Sequence, residues 1–191
     1  EIGRRANFGF GRPRRLLGDI AYVEILDFGF EPQWAEKTVA EVLTKVADAP
    51  ALIIDLRRNG GGSPRMAAFV TSYLVGADSI HLSTLYWRGN RVERIYTRRT
   101  VPGRRFGPDR PLYVLTSRAT FSAAEGFAGN IGRAVFEDKD GALYFGFEGG
   151  VSRFANGRVQ NITVRDGLPH PVVKSVLRDR AGRLWIGTDG G

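Results

Sequence analysis

Two short stretches hold residue types that could do chemistry. The first runs Leu52-Ile53-Ile54-Asp55-Leu56-Arg57-Arg58-Asn59-Gly60-Gly61-Gly62-Ser63-Pro64. A glycine-rich loop between an apolar run and a helix start presents backbone N–H groups, which suit a phosphate or a developing oxyanion. A phosphate loop would follow its glycines with Lys and Ser or Thr, whereas Ser63-Pro64 stand here, so nucleotide binding is weakly supported. Taken alone, the loop reads better as a tight turn that needs positive φ. The second stretch is Leu115-Thr116-Ser117-Arg118-Ala119-Thr120-Phe121-Ser122-Ala123-Ala124-Glu125. Ser122 with Glu125 three residues on is a capping box. The same geometry places a hydroxyl at the positive end of a helix, with the Ala123 N–H where an acyl oxyanion would form. Thr120 and Ala124 occupy the places that a Gly-x-Ser-x-Gly elbow gives to glycine.

The other chemical groups are sparse. His81 falls in a presumed strand and His170 in a Leu168-Pro169-His170-Pro171 loop, and neither is assigned as a base. There is no cysteine, which excludes disulfides, thiolate zinc sites and cysteine nucleophiles. No histidine and carboxylate spacing points to a metal, and no cofactor is expected.

These stretches need elements to position them. Residues 20–26 read as a buried strand, and Pro32 as a first helical residue. Ala35, Val39, Val42, Leu43 and Val46 at helical spacing predict a helix that stops before Pro50. Leu52, Ile53, Ile54 and Leu56 form the kind of apolar run that a covered parallel strand shows. After the glycine loop come a helix from Met66 to Val75, a hairpin of residues 80–87 and 92–97 around Gly89-Asn90, a strand from Leu112 to Leu115, and a helix beginning at Ser122. The expectation is an α/β core wound strand by helix up to about residue 129.

Length and composition bound the rest. The chain has 191 residues, 42% hydrophobic and 25% charged, ordinary for a globular domain, with no apolar run of the roughly 20 residues that span a bilayer. Lys and Arg number 28 against 20 acidic residues, giving +8, and only Lys37, Lys45, Lys139 and Lys174 are lysines. The clusters Arg4, Arg5, Arg12, Arg14, Arg15 and Arg98, Arg99, Arg104, Arg105 carry no recognised binding motif and read as solvated surface, so no nucleic acid is expected. Glu1 at the start and Asp189-Gly190-Gly191 at the end read as the bounds of a fragment or processed form.

Beyond Asn130 the texture changes. Val135 to Gly150 realigns on Val176 to Gly191 at an offset of 41 residues, with Val135/Val176, Asp138/Asp179, Gly141/Gly182, Leu143/Leu184, Gly146/Gly187, Gly149/Gly190 and Gly150/Gly191 identical. An Asp-x-x-Gly turn, an aromatic strand and a closing Gly-Gly at that period fit a propeller blade. The pattern resembles the two-component-regulator propeller repeat, which implies about one and a half all-β blades over residues 130–191.

The glycine loop and the serine stretch together resemble the C-terminal-processing (tail-specific) serine peptidases. Within that family the chain looks like the branch similar to the interphotoreceptor retinoid-binding protein. The resemblance runs from Asn7-Phe8-Gly9-Phe10 through Tyr86-Trp87 and Val101-Pro102-Gly103 to Phe127-Ala128. It implies a partial core of the crotonase and ClpP type over residues 1–129. It also implies Ser122 as nucleophile, the backbone N–H groups of Gly62 (or Gly61) and Ala123 as oxyanion hole, a peptide or protein substrate, and an extracytoplasmic location. Tail-specific members place a lysine base about 25 residues beyond the serine, where this chain has Phe147, so the general base is unassigned and the chain as given is expected to be inactive. The competing expectations are a non-catalytic binding or sensor module built on the repeats, and a joint of two unrelated gene fragments near Gly129-Asn130.

Overall fold

The computed structural model describes residues 7–131, 134–138, 140–147, 149–156, 158–179, 181–188 and 190. Arg4, Arg5, Lys139, Asp189 and Gly191 lie outside them.

The first unit is strand, helix, strand. In β2 (Ala21–Glu24), buried Ala21 and Val23 alternate with half-buried Tyr22 and Glu24, the period of a strand with one covered face. Helix α1 (Pro32–Val46) starts on Pro32, where the missing N–H would have had no partner anyway. It buries Ala35, Val39, Val42, Leu43 and Val46, the stripe its spacing predicts. The carbonyls past its end are capped from afar, because the Arg110 guanidinium donates to Ala47 O (2.7 Å) and Ala49 O (2.9 Å). Strand β3 (Leu52–Asp55) then pairs parallel with β2.

Helix α2 (Pro64–Thr71) follows the glycine loop, capped by the Ser63 hydroxyl, which accepts from Met66 N–H. It ends four residues short of the Val75 expected from sequence. The antiparallel hairpin β4 (His81–Tyr86) and β5 (Val92–Tyr96) stands as its own two-stranded sheet. Strand β6 (Leu112–Thr116) returns parallel to β3, and α3 (Ala123–Ile131) leaves from its C-terminal end. Ala21, Val23, Leu52, Ile54, Leu112 and Val114 share one sheet face and form a single core with Leu43, Phe69 and Phe127 of the helices. Burying each larger apolar side chain stabilises the fold by about 1.5–3 kcal/mol.

The sheet does not stop where the composition changes. Strand β7 (Ala134–Glu137) pairs parallel with β6, Val114 facing Ala134. β8 (Leu143–Phe147), β9 (Gly150–Ala155) and β10 (Arg158–Ile162) follow as an antiparallel meander. With the short β1 (Arg14–Arg15) on the opposite edge, the order is β1-β2-β3-β6-β7-β8-β9-β10. The class is α/β with a mixed sheet, and no closed propeller ring is found among the described residues.

The 41-residue repeat is also a repeat of structure. β11 (Val173–Arg178) and β12 (Leu184–Thr188) form a hairpin whose register, Val176↔Ile186 and Arg178↔Leu184, copies Val135↔Phe145 and Glu137↔Leu143. The turns match as well. Asp138 N–H donates to Ala142 O and Asp179 N–H to Arg183 O, each at 2.9 Å. The Trp185 indole N–H and the backbone N–H of Arg183 hold the Asp179 carboxyl down to about 2. Arg178 bridges the repeats with a 2.5 Å ion pair to the buried Asp138. A smaller core of Tyr144, Val151, Val173 and Val176 fills the space between them.

The arginine clusters are less idle than a solvated surface. Arg98 pairs with Glu36 at 2.6 Å and lies 4.2 Å over the Phe69 ring. Arg105 donates to the carbonyls of Arg98 and Arg99 and, on its other nitrogen, to Ser72 and Gly76. No helix is long and apolar enough to cross a membrane, among the described residues.

Candidate active site

The glycine loop leaves the C-terminal end of β3 and the serine loop leaves the C-terminal end of β6, its neighbour in the sheet. Open α/β sheets gather their sites at such ends. Backbone and side-chain bonds stitch the two loops together. The Thr120 hydroxyl donates to Leu56 O (2.8 Å), the Ser117 hydroxyl to Arg57 O (2.5 Å) and Phe121 N–H to Asn59 O (3.1 Å). Asn59 is fully buried and holds both sides at once, since its Nδ2 donates to Ile25 O (3.0 Å) and its Oδ1 accepts from Gly61 N–H (2.8 Å).

This stitching puts Gly61 against Ser122. A Cβ added at Gly61 would meet Phe121 O at 2.7 Å, Ser122 Cβ at 2.8 Å and Ala123 N at 3.2 Å. Gly62 is equally confined from the other side. It bridges Phe28 in parallel, with Phe28 N–H donating to Gly61 O and Ser63 N–H to Phe28 O. A Cβ there would sit 2.3 Å from Phe28 C, at a φ of 128° that few side chains tolerate.

The two glycines differ in what their N–H groups do. Gly61 N–H is occupied by Asn59, whereas Gly62 N–H makes no hydrogen bond among the described residues. The bridge explains this, because in a parallel pair the bridged residue of one strand turns its own N–H away from the partner. Ala123, first residue of α3, likewise keeps an unpartnered N–H, as helix starts do.

Ser122 sits in the left-handed region at φ 55°, an uncommon place for a serine. Half of the expected capping box is made, since Ser122 N–H donates to Glu125 Oε2 at 2.9 Å. The other half is not. The Ser122 hydroxyl makes no hydrogen bond among the described residues, so it is not committed to capping.

The two histidines are engaged locally. His81 Nε2 contacts Thr84 Oγ1 at 2.9 Å and its ring packs on Tyr96, while His170 Nδ1 accepts from Val172 N–H. Lys37 and Lys45 are on α1. The repeat hairpin reaches the serine loop. β11 packs along α3, and Arg118 of the serine loop donates to Asp179 O at 3.1 Å. Among the described residues no group of three or more His, Asp or Glu could hold a metal.

Asp55, at the end of β3, anchors the base of the glycine loop. Burial opposes its charge. Hydrogen bonds from Arg57 and Tyr22 outweigh that and hold its carboxyl below the usual range. Arg57 reaches Oδ2 at 2.8 Å and the Tyr22 hydroxyl reaches it at 2.6 Å. A carboxylate with a depressed folded pKa contributes stability above its unfolded value, about 3.9, that is lost as pH falls through the folded one. Asp55→Asn should therefore cost about 2 kcal/mol at pH 7. It should also flatten the acid limb of urea midpoints measured from pH 6 to pH 3. An unchanged acid limb would show that Asp55 does not set it.

Sequence reasoning named Ser122, Gly61, Gly62 and Ala123 but passed over Asn59, Ser117 and Thr120. The available signal was polar residues that can bond backbone, placed at loop positions flanking both motifs.

Two family models match different parts of the chain. Residues 167–190 match the two component regulator propeller model. In solved structures, a protein of Parabacteroides merdae named as a peptidase aligns at 22% identity and TM-score 0.48, over 91% of this chain and 61% of its own. One of Bacteroides fragilis named as an S41 protease aligns at 18% and 0.48, over 81% and 43%. The photosystem II D1 C-terminal processing protease aligns at 19% and 0.43, over 80% and 40%. This chain thus spans between two fifths and three fifths of those structures. Residues 19–141, about two thirds of the sequence and both loops within them, match the model of peptidase family S41, and the chain belongs to that family.

Proposed function

We propose that the chain is a serine-type peptidase unit in which Ser122 Oγ attacks a peptide carbonyl. Gly62 N–H and Ala123 N–H hold the oxyanion. Gly61 serves instead as the surface against which Ser122 is pressed. The carrying observation is the contact of the glycine loop with a serine whose hydroxyl is uncommitted, beside two unpartnered N–H groups. In the acylation step the Oγ–C bond forms and the peptide C–N bond breaks. The hydroxyl proton passes through a base to the leaving amine, and water then releases the acyl group. That base is not bonded to Ser122 among the described residues, and a serine hydroxyl is a poor nucleophile without one. The family supports a peptide or protein substrate, and an extracytoplasmic location is part of the same proposal. We place the peptidase core at residues 1–129 and the blade-like repeats at 130–191.

The expected result is slow labelling of Ser122 by a fluorophosphonate, located by mass spectrometry and lost in Ser122→Ala, without measurable peptide turnover. A pre-activated phosphorus centre needs less help from a base than an amide does. Turnover that disappears in Ser122→Ala would mean a base is present after all. No labelling would favour the second reading, a non-catalytic binding module. The packing of the repeat hairpin on α3 and the serine loop gives that reading its support.

A further inference from the structure

Beside the glycine loop, on the side of Ser63, lies a cleft of about 400 Å³ between the start of α1, helix α2 and strand β5. That is room for one long side chain and part of its backbone. Its apolar lining includes Ala68, Phe69 and Ile95, and its charged groups are Glu31, Glu93 and three arginines. Most of the charge is already matched. Arg65 meets Glu93 at 2.6 Å, and Arg98 meets Glu36 at 2.6 Å while stacking on Phe69. Arg94 is exposed, so water screens it.

One demand inside the cleft is unmet. Glu31 Oε1 accepts from the Ser63 hydroxyl at 3.0 Å, but Oε2 is shut off from water and has no donor. A buried oxygen without a partner is rare and costly. The terminal torsion of a glutamate is soft, so Oε2 can turn toward a donor entering the cleft.

We propose that this cleft is a side-chain subsite for a peptide, and that Glu31 selects a lysine in it. The stem of a lysine would lie on the apolar lining with its ammonium on Glu31 Oε2, as long basic side chains bury a stem and keep a polar end satisfied. Glu31 is tied to Ser63, the residue after Gly62, so the subsite adjoins the proposed oxyanion donor across the glycine loop. The assignment of a peptide ligand rests on the peptidase reading; the preference for a cation rests on the cleft itself.

The test uses the full chain and three blocked peptides, Ac-Ala-Ala-X-Ala-amide with X as lysine, norleucine or glutamate. Binding is followed by calorimetry, independently of cleavage. The lysine peptide should bind about 10-fold more tightly than the norleucine peptide, the scale of one hydrogen bond to a charged group. Glu31→Gln should abolish that ratio, its melting curve confirming the fold. Equal Kd values for lysine and norleucine, a ratio that survives Glu31→Gln, tighter binding of glutamate, or no binding at all would each overturn the proposal. Fluorophosphonate labelling separates the two readings. Labelled Ser122 without lysine preference sinks only the subsite, and lysine preference without labelling sinks only the nucleophile.

Discussion

Gly62→Ala should lower stability by about 3 kcal/mol or more, from a strained backbone and an overpacked contact together. In a chain of this length that is a fall in Tm of roughly 6–12 °C. The reason is local and backbone-made. The added methyl would meet Phe28 C at 2.3 Å, Gly29 N at 2.4 Å and Phe28 O at 2.6 Å, none of which is the far end of a flexible side chain. To relieve it, the loop must release the Phe28 bridge, and with it the register between the end of β2 and the start of α2. Gly60→Ala is the internal control, since nothing lies within 4 Å of a Cβ there and its φ is not positive. That variant should stay within about 0.5 kcal/mol of the parent, as surface changes usually do. Melting both by circular dichroism decides the matter. Equal Tm values would mean that the loop is looser than its contacts imply.

Asn59→Ala should cost about 2–4 kcal/mol, because it orphans two buried backbone groups, Ile25 O and Gly61 N–H, each worth about 1–3 kcal/mol when left unsatisfied. Asn59→Asp should be no better, since it keeps the acceptor for Gly61, loses the donor for Ile25 and buries a charge. A second effect distinguishes Asn59 from an ordinary core residue. With Oδ1 gone, Gly61 loses the bond to its N–H beside Ser122 and keeps only the one from Phe28 N–H to its carbonyl. Fluorophosphonate labelling should therefore slow by about 10-fold or more at temperatures well below the variant's own Tm, as misplaced catalytic groups do. Undiminished labelling in a folded Asn59→Ala would show that the serine loop keeps its geometry without this residue.

Helix α1 was legible because a proline start and five apolar residues at helical spacing admit one reading. The β4–β5 hairpin was legible because Gly89 and Asn90 both take the positive φ that such turns require. The repeat could be read from identities alone, and its turns proved to share hydrogen bonds as well as residues. What pairs with what across the sheet was not legible. Ala134–Glu137 is a four-residue strand, and its pattern is the same whether it opens a blade or extends a parallel core. In the structure it extends the parallel core and starts the antiparallel meander that follows. Which of Gly61 and Gly62 has its N–H taken up was equally hidden, since it turns on the side chain of Asn59. The capping work of Arg105 and Arg110 escaped notice for a related reason. The carbonyls they reach past the ends of α1 and α2 lie 29 to 63 residues away in the sequence.

The pairing of β7 on β6 has a consequence for how the sheet continues. The ladder between them joins backbone to backbone, Val114 facing Ala134 and Thr116 facing Phe136, and hydrogen bonds of this kind are indifferent to side-chain identity. An open edge on β6 would accept any strand of suitable length and direction, which is the hazard of bare edges turned to another use. Continuing the sheet at this boundary asks only for such a strand, whereas the packing of β11 on α3 and the Arg118–Asp179 bond depend on particular residues. The match to the S41 model runs to residue 141 and so takes in β7 itself, which makes this ladder the place where core and repeats share one sheet.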